Sequence, residues 1–122
     1  MPVRSSDSSV LRWPAPDEVL GAARTWAAGV GKSRAEVARI GVFGSYARDD
    51  WGVGSDLDLI AILDFSAEPF ERRALSFDLL ELPVPAELLV YTSSEWERLV
   101  GEGGRFGRVV TAEAVWVYER DL

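Results

Sequence analysis

The chain contains no cysteine and no histidine. Without cysteine there is no disulfide, no thiol nucleophile and no Cys/His zinc site. Without histidine the commonest general base is missing, and so is every Ser-His-Asp arrangement. Any catalysis must then fall to carboxylates, hydroxyls, lysine or arginine. A basic run is also lacking, since 13 Lys and Arg stand against 20 Asp and Glu for a net charge of −7. Binders of long nucleic acids carry a basic face, so a long nucleic acid is not expected as main substrate. No apolar run reaches membrane-spanning length, which gives no expectation of a membrane role. The first 13 residues hold charge and serines but no apolar stretch, unlike a secretory signal; the expected location is the cytoplasm.

What is present is enough for one ordinary domain. The 122 residues are 48% apolar, which supports a real core and argues against disorder. Residues 1–13, serine-containing and without periodicity, read as a flexible tail, and 14–122 as a single domain. Pro14-Ala15-Pro16-Asp17 reads as a helix entry with Asp17 as cap. Val19, Leu20, Ala23, Trp26 and Ala27 continue at helical spacing, and Gly29-Val30-Gly31 is expected to close that helix. Strands are expected over 37–43, 57–63 and 88–91, with a last short one over 115–118. Helices are expected over 69–80 and from Thr92-Ser93-Ser94-Glu95, capped by Ser93 or Ser94. Residues 101–107 read as a loop. Alternating strands and helices imply an α/β (α+β) domain, a small mixed β-sheet with helices packed on it.

Two stretches concentrate chemistry. Val42-Phe43-Gly44-Ser45-Tyr46-Ala47-Arg48 places a Gly-Ser turn after an apolar run and opens a short helix to about Asp50. Ser55-Asp56-Leu57-Asp58-Leu59-Ile60 places two carboxylates at the mouth of a second apolar run. Residues two apart on a strand share a face, so Asp56 and Asp58 can aim at one point. Converging carboxylates suit a hard divalent cation such as Mg2+. A Gly-Ser turn opening a helix suits phosphate, through backbone N–H groups and the positive dipole end. Together they suggest nucleotide chemistry.

Each feature also has a plainer reading. Asp56 and Asp58 can be a solvated loop capping a strand, although a carboxylate entering the run Leu59-Ile60-Ala61-Ile62-Leu63 is costly unless paired or metal-bound. Gly44-Ser45 is also an ordinary strand-to-helix turn. Arg48 either reaches a phosphate or pairs with Asp49 or Asp50. Glu87 shares a strand face with Leu89 and Tyr91, company that favours a buried role over a solvent-facing one. Trp26, Trp96, Trp116 and Phe77 read as core. Trp51 stacks on a base, packs, or forms part of a lid. Gly29-Val30-Gly31-Lys32-Ser33 has the look of a Walker A ending. A helical pattern precedes it instead of a strand, and Trp26 stands at a position the motif reserves for glycine. It therefore reads as the end of a helix.

The combination resembles the DNA polymerase β-type nucleotidyltransferase superfamily, and within it the minimal nucleotidyltransferases (MNT) encoded beside HEPN partners. The resemblance rests on Gly44-Ser45-Tyr46-Ala47-Arg48, on Ser55-Asp56-Leu57-Asp58-Leu59, and on Glu87 ahead of Leu88-Leu89-Val90-Tyr91-Thr92. The ending from Arg105 through Glu113-Ala114-Val115-Trp116-Val117-Tyr118-Glu119 is similar to the group's tail. Two departures stand out: Glu87 occupies a place the family usually gives to Asp, and Asp49 one it usually gives to Gly.

The resemblance implies a nucleotidyltransferase fold and transfer of an NMP, AMP foremost, from NTP to a hydroxyl acceptor. Gly44 and Ser45, with Arg48 and Ser55, would bind the nucleotide. Asp56, Asp58 and Glu87 would be the catalytic and metal-holding acids for Mg2+, two ions about 3.5–4 Å apart being the usual two-metal arrangement. The implied partner is a HEPN-domain protein, with this chain the antitoxin of a toxin–antitoxin pair; homo- and hetero-oligomers both stay open. Two other functions remain: a weakly active or inactive module that neutralises its partner by binding, which Glu87 keeps in view, and a transferase acting on a small molecule such as an aminoglycoside, against which the absence of an added acceptor domain counts.

Overall fold

A computed structural model describes residues 13–50, 52 and 54–120. The tail expected over 1–13, apart from Trp13, and the loop residue Trp51 lie outside the described residues. Four strands, β1 (Val37–Phe43), β2 (Leu57–Leu63), β3 (Ala86–Thr92) and β4 (Val115–Glu119), form one sheet in the order β3-β2-β1-β4. β1 runs antiparallel to β2 and β4, whereas β2 and β3 are parallel, so the sheet is mixed. β2 is central and carries almost unbroken apolar side chains, as a strand covered on both faces requires.

The two faces bury different helices. On one, α1 (Pro16–Ser33) lays Val19, Ala23, Trp26 and Ala27 into a core with Ile40, Val42, Leu59 and Ala61. Those four positions form one apolar stripe at helical spacing. On the other face, α4 (Ser93–Gly101) and α5 (Arg105–Glu113) bring Trp96 and Val110 against Ile60 and Ile62. Trp116, which is half-buried, packs against that second cluster. Two very short helices, α2 (Ser45–Arg48) and α3 (Phe70–Arg73), lie in the connections. Among the described residues no helix is long and apolar enough to cross a membrane.

Several element boundaries differ from the sequence reading. α1 is capped by Ala15 with Pro16 at its first position, and the Glu18 carboxylate accepts the Ala15 N–H at 2.9 Å. It runs through both glycines to Ser33, because Gly31 makes room for the Tyr118 ring, into which any Cβ would run. The segment with the Walker-like look is thus the last turns of a helix. The helix expected over 69–80 stops early. α3 passes into a 3-10 turn at Ala74–Ser76, then Phe77 turns extended and enters the core with Leu82 and Val84. α4 is capped by Thr92, not by a serine: its Oγ1 accepts the Glu95 N–H at 3.3 Å, and Glu95 Oε1 accepts the Thr92 N–H at 2.9 Å. This reciprocal pair satisfies two donors at the helix start. The expected 101–107 loop shrinks to three residues, since α5 begins at Arg105. Gly107 lies inside α5, where the backbone of Leu99 approaches so closely that a Cβ would sit 2.9 Å from its carbonyl oxygen.

Candidate active site

Three chain segments meet at one end of the sheet. β1 ends at Phe43, opposite Asp58 on β2, and Asp58 stands beside Glu87 on β3 in register. Asp58 projects on the face of Ile60 and Ile62, towards α5. Gly44 follows β1 with φ 78°, in the left-handed region that glycine tolerates. A Cβ at Gly44 would collide with Asp58 Oδ2, so the backbone turn and the carboxylate need each other's space. The cleft formed here has a volume of about 440 Å³ and is lined by Gly44, Ser45, Arg48, Asp56, Asp58 and Glu113, among others. Phe106 and Val109 of α5 supply an apolar wall.

The electrostatics centre on Asp58. Its carboxyl is held above the ordinary range, first by burial and then by the negative charges of Glu87 and Asp56; Arg48 pulls the other way and Glu113 adds to the upward push. Asp56 is exposed at the strand mouth. Glu87 is also exposed, which corrects the expected buried role: Leu88 and Val90, one residue out of phase with it, face the larger core. Glu87 is near enough to act on Asp58 but does not line the cleft.

Arg48 pairs with Asp50 at 3.0 Å and with Glu113 at 3.3 Å, so the ion-pair reading holds for this arrangement of side chains. Ser55 lines the cleft, yet its Oγ accepts the Gly52 N–H at 2.8 Å and ties the loop before β2. Tyr46, buried beneath, accepts from Trp13 Nε1 at 2.9 Å. Asp49 has φ 64°, the left-handed conformation. That explains why a glycine is the usual occupant of such a position, and why Asp is a tolerated substitute.

The residue that sequence reasoning missed as a site residue is Glu113. Its Oε1 accepts the Gly44 N–H at 2.9 Å and the Arg48 Nη1–H at 3.3 Å, joining the end of α5 to the turn after β1. One signal was available. An acid closing a helix stands at the negative end of the dipole, where a base is favoured.

The donor set can be tested against a divalent cation. Asp56, Asp58 and Glu87 offer only hard oxygen donors, and two of them raise the pKa of the third by repulsion. A cation relieves such repulsion, so the residue types fit. As the side chains stand, no group of three acidic residues among those described encloses a common point.

A family model described as nucleotidyltransferase domain matches residues 28–103, which include the Gly44-Ser45 turn, the Asp56–Asp58 pair and Glu87. The chain belongs to the nucleotidyltransferase domain family. The fold agrees: a Sulfolobus solfataricus protein assigned as a nucleotidyltransferase superposes with a TM-score of 0.63 at 19% identity, over 86% of this chain and 84% of that one. No curated protein matches the chain. In this nucleotidyltransferase domain the matched segment ends before Glu113, so the part of the site supplied by α5 lies beyond it.

Proposed function

We propose that the chain is a Mg2+-dependent nucleotidyltransferase that moves an NMP, AMP foremost, from NTP to a hydroxyl on a HEPN-type partner, and so acts as the antitoxin of a cytoplasmic pair. The observation that carries the transfer reading is the crowding of Asp58 by Asp56 and Glu87 beside the Gly44-Ser45 turn, in a chain of this family. Asp56, Asp58 and Glu87 would hold the metal, which when bound neutralises phosphate charge and polarises the reacting phosphorus. Ser45 faces the cleft as a phosphate contact, and Arg48 supplies positive charge at its rim. The acceptor oxygen bonds to the α-phosphorus, the α–β anhydride bond breaks, and pyrophosphate leaves with its electron pair. The acceptor proton passes to a carboxylate, since no histidine exists to take it. The acidic balance of the chain supports a protein acceptor over a long nucleic acid.

The decisive assay mixes the protein with labelled NTP, Mg2+ and a candidate HEPN partner and looks for label on the partner. Transfer is expected from the wild type. Asp56→Asn with Asp58→Asn is expected to abolish it while the circular dichroism spectrum stays unchanged. Activity surviving that double change would refute the metal assignment. A second reading, a binding module that neutralises its partner without chemistry, is favoured by the exposed position of Glu87 outside the cleft lining. Partner neutralisation with no label transferred would select it.

A further inference from the structure

We infer that Glu113 is a positioning residue, which fixes the turn at Gly44 so that Ser45 is presented to the nucleotide. The inference rests on the nucleotide-binding part of the reading above and departs from its simplest form, in which both Gly44 and Ser45 contact phosphate. The Gly44 N–H is already spent on Glu113 Oε1, at 2.9 Å. The same oxygen takes Arg48 Nη1 at 3.3 Å. One carboxylate oxygen therefore joins both ends of the Gly44–Arg48 segment to α5.

Three observations converge. Glu113 has little exposed side-chain surface, 18%, yet it lines the cleft. Its charge stands at the C-terminal residue of α5, where the helix dipole opposes it. Residues that break a local rule in this way are commonly held for a site rather than for stability. Finally, the turn it holds is one that must not drift: Gly44 adopts φ 78° and leaves no room for a Cβ beside Asp58 Oδ2. A shift of the turn would move Ser45 and press on Asp58 together. Glu113 thus acts through Gly44 and Arg48, and does not itself need to touch the substrate.

The test compares Glu113→Ala with Glu113→Gln in the full chain. The glutamine retains an acceptor oxygen for the Gly44 N–H, and the alanine does not. The first measurement is hydrogen exchange at the Gly44 amide. Protection is expected in the wild type and in Glu113→Gln, and its loss in Glu113→Ala. The second is affinity for a non-hydrolysable ATP analogue with Mg2+. Glu113→Ala is expected to bind about tenfold more weakly, because the unclamped turn holds its binding conformation only about a tenth of the time, and Glu113→Gln within about threefold of the wild type. Unchanged Gly44 protection in the alanine variant would overturn the inference. So would unchanged or tighter nucleotide binding, which would make Glu113 a bystander or a competitor for the phosphate. If the alanine variant does not fold, the glutamine variant decides: an unprotected Gly44 amide in it overturns the inference. If the wild type binds no nucleotide, the transfer reading fails and the exchange measurement alone judges Glu113.

Discussion

Gly44 meets two demands that only glycine satisfies together. Its φ of 78° is costly for any residue with a Cβ, and the space such an atom would take belongs to Asp58 Oδ2. Gly44→Ala is therefore expected to cost about 1–3 kcal/mol in urea unfolding. Nucleotide transfer should fall more steeply than stability does, because the displaced atom is a carboxylate oxygen of the site. A variant with normal transfer would show that Asp58 tolerates displacement. At this scale the sequence was a better guide to which residues lie together than to how each is engaged. Asp56, Asp58, Gly44, Ser45, Arg48 and Ser55 do line one cleft. The local pair of Arg48 with Asp50 was within reach of the sequence. That Arg48 also pairs with Glu113, 65 residues away, could not be read, since partners so far apart leave no local trace, and nothing in the sequence shows that the Ser55 hydroxyl turns back to Gly52. Glu87 misled for a related reason. Alternation places it on a face but does not say whether that face is covered at the strand's first turn.

At the scale of elements, the strands were the most legible part, because β1 and β2 are short runs, apolar but for Arg39 and Asp58, bounded by turn residues. Helix ends were less so, and glycine was the main cause. Gly31 and Gly107 serve close packing inside helices, not termination. One junction joins several elements: Arg73, 7% exposed, grips Glu95 through two nitrogens at 2.6 and 3.1 Å and also bonds the carbonyls of Glu68 and Val90. Glu95 in turn caps α4. The Arg73 guanidinium, with help from the Thr92 N–H, lowers the Glu95 carboxyl to about 2. A carboxyl lowered on folding adds stability that is complete above its ordinary value of 4.5 and is lost as pH falls towards 2. Glu95 is 40% exposed, so solvent screening reduces the contribution to about 1 kcal/mol. Glu95→Gln should then be less stable than the wild type at pH 7, and the gap should close between pH 4.5 and 2 in paired urea titrations. A gap that persists at pH 2 would assign the loss to hydrogen-bond geometry instead of charge.

At the scale of the whole molecule, the sheet separates two cores that share β2. Trp26 lies in the larger and Trp96 in the smaller. If 14–122 is one cooperative unit, the indole N–H resonances of both tryptophans should vanish at the same urea concentration; separate midpoints would divide it. The fold class was legible because β2 demanded cover on both faces, whereas the strand order was not, since β4 pairs with β1 although β2 and β3 lie between them in sequence. That distance has a kinetic meaning. The bond from Gly44 to Glu113 spans 69 residues. The turn after β1 can form early, but it is clamped only when α5, which follows β3 in sequence, has docked. Closure of so long a loop is slow. A ribosome-bound chain that has emerged only as far as β3 therefore holds both Asp56 and Asp58 without the clamp, and nucleotide should speed the final docking of α5 more than any earlier step.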